Sequence, residues 1–386
     1  MKYLGILTVF VLGLVTIVDA LETATDTPLI YAGFAFSGDY SNRDQLYRYS
    51  VELSNELDLN KMLIEKLRTR AELINKVSLG LSDDKRDVTS VAFALVNESV
   101  EKQIIDGQYW VIVSLQANVL AFNNNSGSVV ASYPLRIRYT SVQPTEPTEA
   151  EIKEKVKDVY ITADPASNVF DQWLNRFETV KIKEGAIKRL RVMNVEITPE
   201  AEKVIAGAGK TVQSIRNQTA NFLEAAVADK SGIPVVPNSV GEAIGKNMAL
   251  RFSNGSEQML TLPDPDYALS FLIRDFVSKT IEKPEYFQNI YRVKGRVVLT
   301  QPDSEKTYLD ENIYDTLIVT CPKVDGRPCV VLVDWDQYYK TMQALIVKLG
   351  KQLHDVDDVW LKENASRENE AKAGFKTANK LIQELI

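Results

Sequence analysis

The residues best suited to chemistry are acids that stand close together in the sequence. There are three such groups: Asp264 and Asp266, Asp334 and Asp336, and Asp355, Asp357 and Asp358. Two acids that flank a glycosidic bond can cleave it, and several acids with carbonyl oxygens can bind calcium. None of the groups has the spacing of a calcium-binding helix–loop–helix, and the first two lie where an aspartate would cap a helix. The spacing therefore favours helix caps, with carboxylate chemistry as the alternative.

The segment Gly207-Ala208-Gly209-Lys210-Thr211 contains the Gly-Lys-Thr residues with which a phosphate-binding loop motif ends. The full motif also needs a glycine at position 204, where this chain has Val204. The motif should follow a buried strand, whereas Pro199–Ile205 has a helical pattern. We interpret the segment as a glycine break between two helices, and we predict no nucleotide or other cofactor.

Nucleophilic hydrolysis has little support in the sequence. His354 is the only histidine, it lies at the end of a predicted helix, and no Gly-x-Ser-x-Gly segment occurs. A serine–lysine pair stays open because both residue types are abundant. The turn Ser37-Gly38-Asp39-Tyr40, between a strand and a helix, is a further candidate for ligand binding, although such turns commonly serve as connections.

The two cysteines, Cys321 and Cys329, flank a short segment with Asp325-Gly326 at its centre. Asp-Gly favours a tight hairpin turn, which would bring the two sulfurs together at its base. In an exported chain this pattern predicts a local disulfide. A metal site would need more ligands than the sequence supplies here, so we predict none.

The N-terminus predicts export. Lys2 precedes an uncharged apolar run, and Val18 and Ala20 are the small residues that a signal peptidase requires, so we expect residues 1–20 to be removed. No later segment has the ~18 consecutive apolar residues that a membrane-spanning helix needs. The net charge of −7 and the absence of a concentrated basic face argue against nucleic acid as a partner.

The elements that must position these residues centre on a long hairpin, Tyr109–Thr140. Its second strand alternates Val129, Ala131, Tyr133, Leu135, Ile137 and Tyr139 with Val130, Ser132, Pro134, Arg136 and Arg138. This period of two predicts one face in the core and one in water. Further strands are predicted at 29–36, 87–97, 186–196, 290–300, 314–320 and 330–333.

Helices are predicted where apolar residues recur at helical spacing. The ranges are 61–77 with Asn60 as a cap, a segment starting at Thr148, 165–177, 199–205, 211–227, 240–252, 267–280, 337–353 and a final amphipathic helix within 355–386. Both halves place helices before antiparallel strands, yet no residue-level repeat can be aligned. Whether the halves are a duplication is left open.

Together these patterns predict an α+β protein with antiparallel sheets flanked by helices. We expect an N-terminal domain at 21–143, a second domain with the disulfide hairpin at 144–354, and a helical segment at 355–386. The predicted function is binding by an exported, periplasmic or extracellular protein. The alternatives are a secreted hydrolase that uses carboxylates or a Ser–Lys pair, and an envelope-assembly subunit that docks on a protein partner through residues 355–386.

Overall fold

The computed structural model describes residues 29–38, 40–79, 88–105, 107–180, 182, 188–231, 233–238, 246–324, 327–328 and 333–385. The predicted signal peptide, residues 1–20, lies outside these ranges, so its cleavage stays a prediction. Thirteen strands form one large sheet with helices packed on it. The combination of helices and sheet is confirmed, but the sheet is mixed rather than purely antiparallel, because several strand pairs run parallel.

Residues 29–179 form the first half of the chain. Its strands are β1 (Leu29–Ser37), β2 (Val77–Ser78), β3 (Thr89–Ile105), β4 (Gln108–Asn123) and β5 (Val129–Gln143). Its helices are α1 (Arg43–Leu46), α2 (Arg48–Glu56), α3 (Leu59–Arg68), α4 (Ala71–Lys76), α5 (Glu149–Ile161) and α6 (Val169–Thr179). The antiparallel strands β3, β4 and β5 follow one another, and β1 lies parallel to β3.

Residues 190–385 form the second half. Its strands are β6 (Leu190–Ile197), β7 (Val235–Val236), β8 (Asn247–Phe252), β9 (Glu257–Thr261), β10 (Tyr267–Glu282), β11 (Tyr286–Gln301), β12 (Lys306–Val324) and β13 (Arg327–Pro328). Its helices are α7 (Pro199–Gly207), α8 (Val212–Ser231), α9 (Asp334–Gln352), α10 (Asp358–Asn364) and α11 (Glu368–Gln383). Strand β6 lies parallel to β10, and β10, β11 and β12 are consecutive antiparallel strands.

The two halves share one strand order and one pairing register. Leu95 pairs with Ala117 between β3 and β4, and Ile273 pairs with Gly295 between β10 and β11. Each residue of the second pair lies 178 positions after its counterpart (95 to 273, 117 to 295). The same spacing relates the β4–β5 pairing to the β11–β12 pairing throughout. The chain therefore contains an internal structural repeat, of which each half is one copy.

The irregularities of the register repeat as well. A bulge interrupts β3 between Leu95 and Asn97, and a bulge interrupts β10 between Ile273 and Asp275. The first strand of each half also has an irregularity: β1, paired with β3, and β6, paired with β10, each contain one extra residue that has no partner in the register. Bulges are specific features of a strand pair and not random defects, so their recurrence strengthens the evidence of repetition.

Two short elements of the second half reach the first. Strand β7 lies between the halves and pairs antiparallel with β5 at Ser132 and parallel with β6. The β8–β9 hairpin pairs with the outer edge of β1, and its Met248, Leu250 and Leu260 form a small core with residues of the first sheet. The sheet is therefore continuous from one half to the other.

Each half has its own main hydrophobic core. The first core contains residues of α5 and α6, such as Val156, Trp173 and Phe177, together with those of β1, β3, β4 and β5. The sequence assigned these helices to the second domain. We therefore propose that the division between the halves falls after Thr179 and not at residue 143.

Several local expectations are confirmed. The β4–β5 hairpin turns where Asn123 Oδ1 accepts hydrogen bonds from the backbone N–H groups of Asn125 and Ser126, and Gly127 adopts a positive φ. Thr148 begins α5 with a capping box in which its hydroxyl and the Glu151 carboxylate bond each other's backbone N–H groups.

Two predicted helices are wrong. Residues 267–280 lie in β10, and the described part of 240–252 contains β8. Asn60 does not cap a helix either, because Asp58 caps α3 and the Asn60 side chain accepts hydrogen bonds from the Tyr31 hydroxyl and the Phe34 N–H.

The outer face of β5 differs from its prediction. Ser132 and Pro134 are buried, whereas the alternation predicted that they face water; Arg138 on the same face is exposed, as predicted. Helix α8 of the second half packs against β5, which accounts for the burial.

The C-terminal helix is present, and its apolar face is used inside the chain. Ala371, Phe375, Ala378 and Ile382 are buried in the second core against β12. None of the helices within the described residues has both the length and the apolar composition needed to cross a bilayer. Cys321 is buried on β12, and Cys329 lies outside the described residues, so the predicted disulfide stays a prediction.

Candidate functional site

A cleft of about 550 Å³ lies between the two halves. The first half contributes α1, α2, the start of α5 and the part of β3 that follows the bulge; the second contributes Lys210, the first turns of α8 and the start of α9. Strand β1 pairs with β3 as far as Leu95, and the cleft opens beside the residues beyond this point. The end of the β1–β3 pairing thus makes space for the cleft.

Glu98 is a buried carboxyl on the first-half wall. The bulge after Leu95 changes which β3 residues face the helices, so that Glu98, opposite Leu115, points to the helical side. Its carboxylate accepts hydrogen bonds from the backbone N–H groups of Tyr49 and Ser50, at 3.0 and 2.8 Å, and from the Ser50 hydroxyl. Glu98 therefore caps α2, whose own N-cap residue makes no side-chain bond.

Two effects act on the ionisation of Glu98. Burial raises the pKa of its carboxyl, and the hydrogen bonds from Ser50 and from the Tyr49 backbone act in the opposite direction. The Ser50 hydroxyl also lies 2.7 Å from the Tyr160 hydroxyl of α5, so the carboxyl belongs to a buried polar cluster. This group is fixed in place and serves the fold.

Glu101 occupies the other face of β3. It pairs with Ile112, on the face that also carries Ser114 and Arg136. Burial raises the pKa of Glu101, while the charges of Arg138 and Arg136 lower it in part. Unlike Glu98, this carboxyl has no capping role.

Asp336, with two aromatic rings, forms the second-half wall. It lies in the first turn of α9, where burial raises its pKa and the charges of Lys340 and Lys210 oppose that rise. Trp335 and Tyr339 are stacked with ring centroids 6.1 Å apart, and the Tyr339 hydroxyl donates to Gln218 at 2.9 Å. The wall thus combines an acid with aromatic surface.

Glu101, Asp336 and Lys210 interact across the cleft. The charge of Asp336 raises the pKa of Glu101, and the charge of Lys210 lowers the pKa of both acids. Among the described residues, none of the three forms an ion pair. Two acids from opposite halves therefore face the cavity near Lys210, and neither forms an ion pair within the described ranges.

The structure separates most of the residues that the sequence singled out. Asp264 forms an exposed ion pair with Lys246 at 2.7 Å, and Asp266 accepts a hydrogen bond from the Arg189 N–H. Neither caps a helix, because the segment that follows is strand β10. These two acids lie outside the cleft.

The acids of α9 and α10 have different roles. Asp334 accepts a hydrogen bond from the Tyr291 hydroxyl, and α9 has no side-chain cap, so the predicted capping role of Asp334 and Asp336 is wrong. Asp357 does cap α10, through the backbone N–H groups of Val359 and Trp360. No group of three or more histidine, cysteine or acidic residues that could hold a metal occurs in the described ranges.

The remaining candidates are structural or lie elsewhere. The glycine break is confirmed, since α7 ends at Gly207, Gly209 has a positive φ and α8 begins at Val212. Lys210 of that break lines the cleft, a position that the sequence did not predict. His354 lies just after α9 and outside the cleft. In the turn after β1, Asp39 lies outside the described residues.

Glu98 and Glu101 were missed by sequence reasoning. The available signal was the interruption of the apolar pattern of Val91–Val96 by Asn97-Glu98-Ser99-Val100-Glu101 within a single strand. Charged residues in the middle of a strand that is buried on both faces need a polar partner. That signal identifies the acids but not the partner, which comes from the other half.

No protein-family model matches this sequence, and no curated protein sequence matches it. The chain is similar in structure to a minor lipoprotein from Acinetobacter baumannii, with 8% identity, a TM-score of 0.21 and coverage of 47% of this chain and 99% of the other. A Xanthomonas campestris protein from a family of unknown function has 13% identity, a TM-score of 0.21 and coverage of 45% and 89%.

A third similar structure is a homologue of a neuraminyllactose-binding hemagglutinin from Helicobacter pylori. It has 13% identity, a TM-score of 0.22 and coverage of 45% of this chain and 91% of the other. TM-scores this low assign neither a fold nor a function to this chain.

Proposed function

We propose that this chain is an exported binding protein that holds a small organic cation in the cleft between its halves. The observation that carries the proposal is the pair Glu101 and Asp336, which face one cavity from opposite halves and form no ion pair among the described residues. Burial raises the pKa of both carboxyls, and the nearby charges of Arg138, Lys210 and Lys340 compensate their charged forms only in part. A bound ammonium or guanidinium group would supply the rest of the compensation.

The rest of the cleft fits that ligand class. The lining includes five acids (Asp44, Glu98, Glu101, Glu149 and Asp336) and three bases (Arg48, Lys102 and Lys210). Trp335 and Tyr339 add aromatic rings to the lining, and cations are attracted to such rings. The volume of about 550 Å³ lies in the range of small-molecule sites.

Export is part of the proposal and is supported by residues 1–20. If it is correct, the mature protein from the native host should fractionate with the envelope or the medium, and N-terminal sequencing should begin at Leu21. Thiol titration of the unfolded mature protein should then find Cys321 and Cys329 oxidised. Recovery of full-length protein with two reduced thiols from the cytosol would contradict this part of the proposal.

One observation favours a hydrolase as a second candidate. Remote acids with raised pKa values meet in one cleft, as a carboxylate hydrolase requires. We favour binding because neither Glu101 nor Asp336 accepts a side-chain hydrogen bond that would orient it, within the part of the chain that the structure describes. If the protein were a hydrolase, the wild type would cleave nitrophenyl glycosides and the double variant Glu101→Gln/Asp336→Asn would not.

The assembly alternative has less structural support than binding in the cleft. It required an exposed apolar face on residues 355–386, whereas Phe375 and Ile382 are buried against the second core. We expect truncation after Gly350 to destabilise the protein because this core would open to water.

The cleft is tested with the double variant Glu101→Gln/Asp336→Asn. We expect spermidine or free arginine to bind the mature wild type in isothermal titration calorimetry, and the double variant to bind about tenfold more weakly or worse. The control is Asp303→Asn, an exposed acid in the turn between β11 and β12, which should bind as the wild type does.

The pH dependence provides a second readout. Binding of a cation needs both carboxylates ionised, and burial raises their pKa values, so affinity should increase as the pH rises through those values. The double variant should lack this dependence. Equal affinity of the wild type and the double variant for both probes, or no binding of either probe by the wild type, would refute the ligand class.

A further inference from the structure

A second cavity, of about 370 Å³, lies between the two halves. None of the residues that line it also lines the cleft. The second cavity is bounded by β5 and α6 of the first half and by α8 and α9 of the second. Its charged residues are Arg136, Arg176 and Asp229. The cavity thus has two guanidinium groups and one carboxylate.

Arg136 reaches the cavity from β5. Its guanidinium lies over the Phe222 ring of α8, 3.9 Å from the ring centroid, and donates a long hydrogen bond of 3.4 Å to the Ser114 hydroxyl. Its Nε is buried and has no hydrogen-bond partner among the described residues. Stacking on Phe222 fixes the plane of the group and leaves donors unused.

Arg176 reaches the cavity from α6. One terminal nitrogen donates to the Ala228 carbonyl of α8 at 2.5 Å, and its buried Nε has no hydrogen-bond partner among the described residues. Neither Arg136 nor Arg176 forms an ion pair there. Asp229 is near enough to raise the pKa of Arg176 but lies outside ion-pair distance.

Burial of two unpaired guanidinium groups is unfavourable. It lowers the pKa of both arginines, and the opposing effects of Tyr339 and Glu101 offset it only in part at Arg136. Buried charges in proteins are normally paired, and an unpaired one leaves its desolvation uncompensated. Arg136 and Arg176 come from two elements that line one cavity, and guanidinium groups suit an oxyanion because their N–H donors match its oxygens.

We propose that this cavity is a binding site for a small organic anion that carries a carboxylate or phosphate group. Arg136 and Arg176 bind the oxyanion, and the amides of Gln172, Asn175 and Gln343 line the space for the rest of the molecule. The volume is near the lower end for small-molecule sites, so the ligand is small. This site uses only residues of the second cavity, whose lining shares no residue with that of the cleft, and Arg136 interacts electrostatically with Glu101 of the cleft.

The test uses the full mature chain, with succinate and inorganic phosphate as separate probes in isothermal titration calorimetry at constant ionic strength. We expect the wild type to bind at least one probe saturably, and Arg136→Gln/Arg176→Gln to bind it about tenfold more weakly or not at all. Arg68→Gln is the matched control, because Arg68 is an exposed arginine of α3 that lines neither cavity, and it should bind as the wild type does.

A stability measurement keeps the proposal testable if the calorimetric signal of the double variant is weak. Arg176→Met removes one unpaired buried charge, so its melting temperature without an anion should equal or exceed that of the wild type. Added succinate or phosphate should raise the melting temperature of the wild type, relative to chloride at equal ionic strength, and leave that of Arg176→Met unchanged.

The two probes also separate the anion classes, since a site for carboxylates prefers succinate and a site for phosphate groups prefers phosphate. The proposal is overturned if the wild type binds neither probe, or if both arginine variants respond to the anion as the wild type does.

Discussion

The two halves build the same strands in the same register, but they use the position after the shared bulge differently. Glu98 in β3 corresponds to Phe276 in β10, 178 residues later, and their partners Leu115 and Val293 correspond in the same way (98 to 276, 115 to 293). Glu98 caps α2 from a buried polar cluster, whereas Phe276 packs against the rings of Trp335 and Tyr338.

This difference shows what the repeated unit determines. The backbone determines which face a side chain occupies, because the bulge turns the next residues toward the helices in both halves. The chemistry at that point is free to vary, provided that the helices supply a matching partner. In the first half the partners are backbone N–H groups at a helix start, and in the second half they are aromatic rings.

The strongest test of the comparison is to replace Phe276 of the second half by glutamate, the residue at the corresponding position of the first half. Phe276→Glu places a carboxyl among aromatic rings and removes their packing, so we expect a loss of about 3–5 kcal/mol in the free energy of unfolding, measured with urea. Lys279→Glu, at an exposed position of the same strand, is the control and should change stability little. If Phe276→Glu were tolerated, the two positions would be interchangeable and the comparison would fail.

Glu98→Gln sharpens the comparison through pH. Burial raises the pKa of Glu98, so the folded state keeps this proton to a higher pH than the unfolded chain does. The stability that it contributes is therefore present at low pH and declines as the pH rises from the unfolded to the folded pKa. The glutamine side chain does not titrate.

The stability advantage of wild type over Glu98→Gln should therefore shrink as the pH increases through this window. The total change corresponds to about 1.4 kcal/mol for each unit by which the pKa is raised. Urea titrations of both proteins at a series of pH values measure it. A difference that does not vary with pH would show that Glu98 ionises alike in the folded and unfolded states.

The smallest effect concerns the helix that follows the last long strand of each half. Helix α5 begins with the Thr148–Glu151 capping box, whereas the N-cap residue of α9 is Val333, which is 58% exposed and makes no capping side-chain bond. Thr148→Ala should lower stability by about 1 kcal/mol, and Val333→Ser should raise it by about 0.5–1 kcal/mol. Thermal unfolding of the two variants checks the opposite signs, and changes of the same sign would contradict the comparison.

The same bulge explains which parts of the fold could be predicted from the sequence. The β4–β5 hairpin was predicted because its apolar residues alternate without interruption up to the loop. In β10 the alternation Leu269, Phe271, Ile273 changes phase at the bulge and resumes at Phe276. The combined spacing imitates a helix, and the strand was therefore predicted as one.

The candidate site was less accessible to sequence reasoning than the fold. Glu101 and Asp336 belong to different halves, and only the three-dimensional fold brings β3 and α9 to the lining of one cavity. In the sequence, Arg136 is one of the polar residues of an alternating strand, and Arg176 lies within the predicted helix 165–177. Neither position indicates a cavity. Local patterns predict the face that a residue occupies within its own element, but they contain no information about which element will cover that face.

The β8–β9 hairpin has a consequence for the order in which the molecule can be completed. It comes from the second half, yet it pairs with β1, and the Ser37 hydroxyl donates to the Met248 sulfur across 211 residues of sequence. During synthesis the first half emerges early, but the outer edge of β1 lacks this pairing until the β8–β9 hairpin has left the ribosome. Contacts so distant in sequence slow folding, so maturation of the protein should be timed by the arrival of this late segment and not by the speed at which the first half collapses.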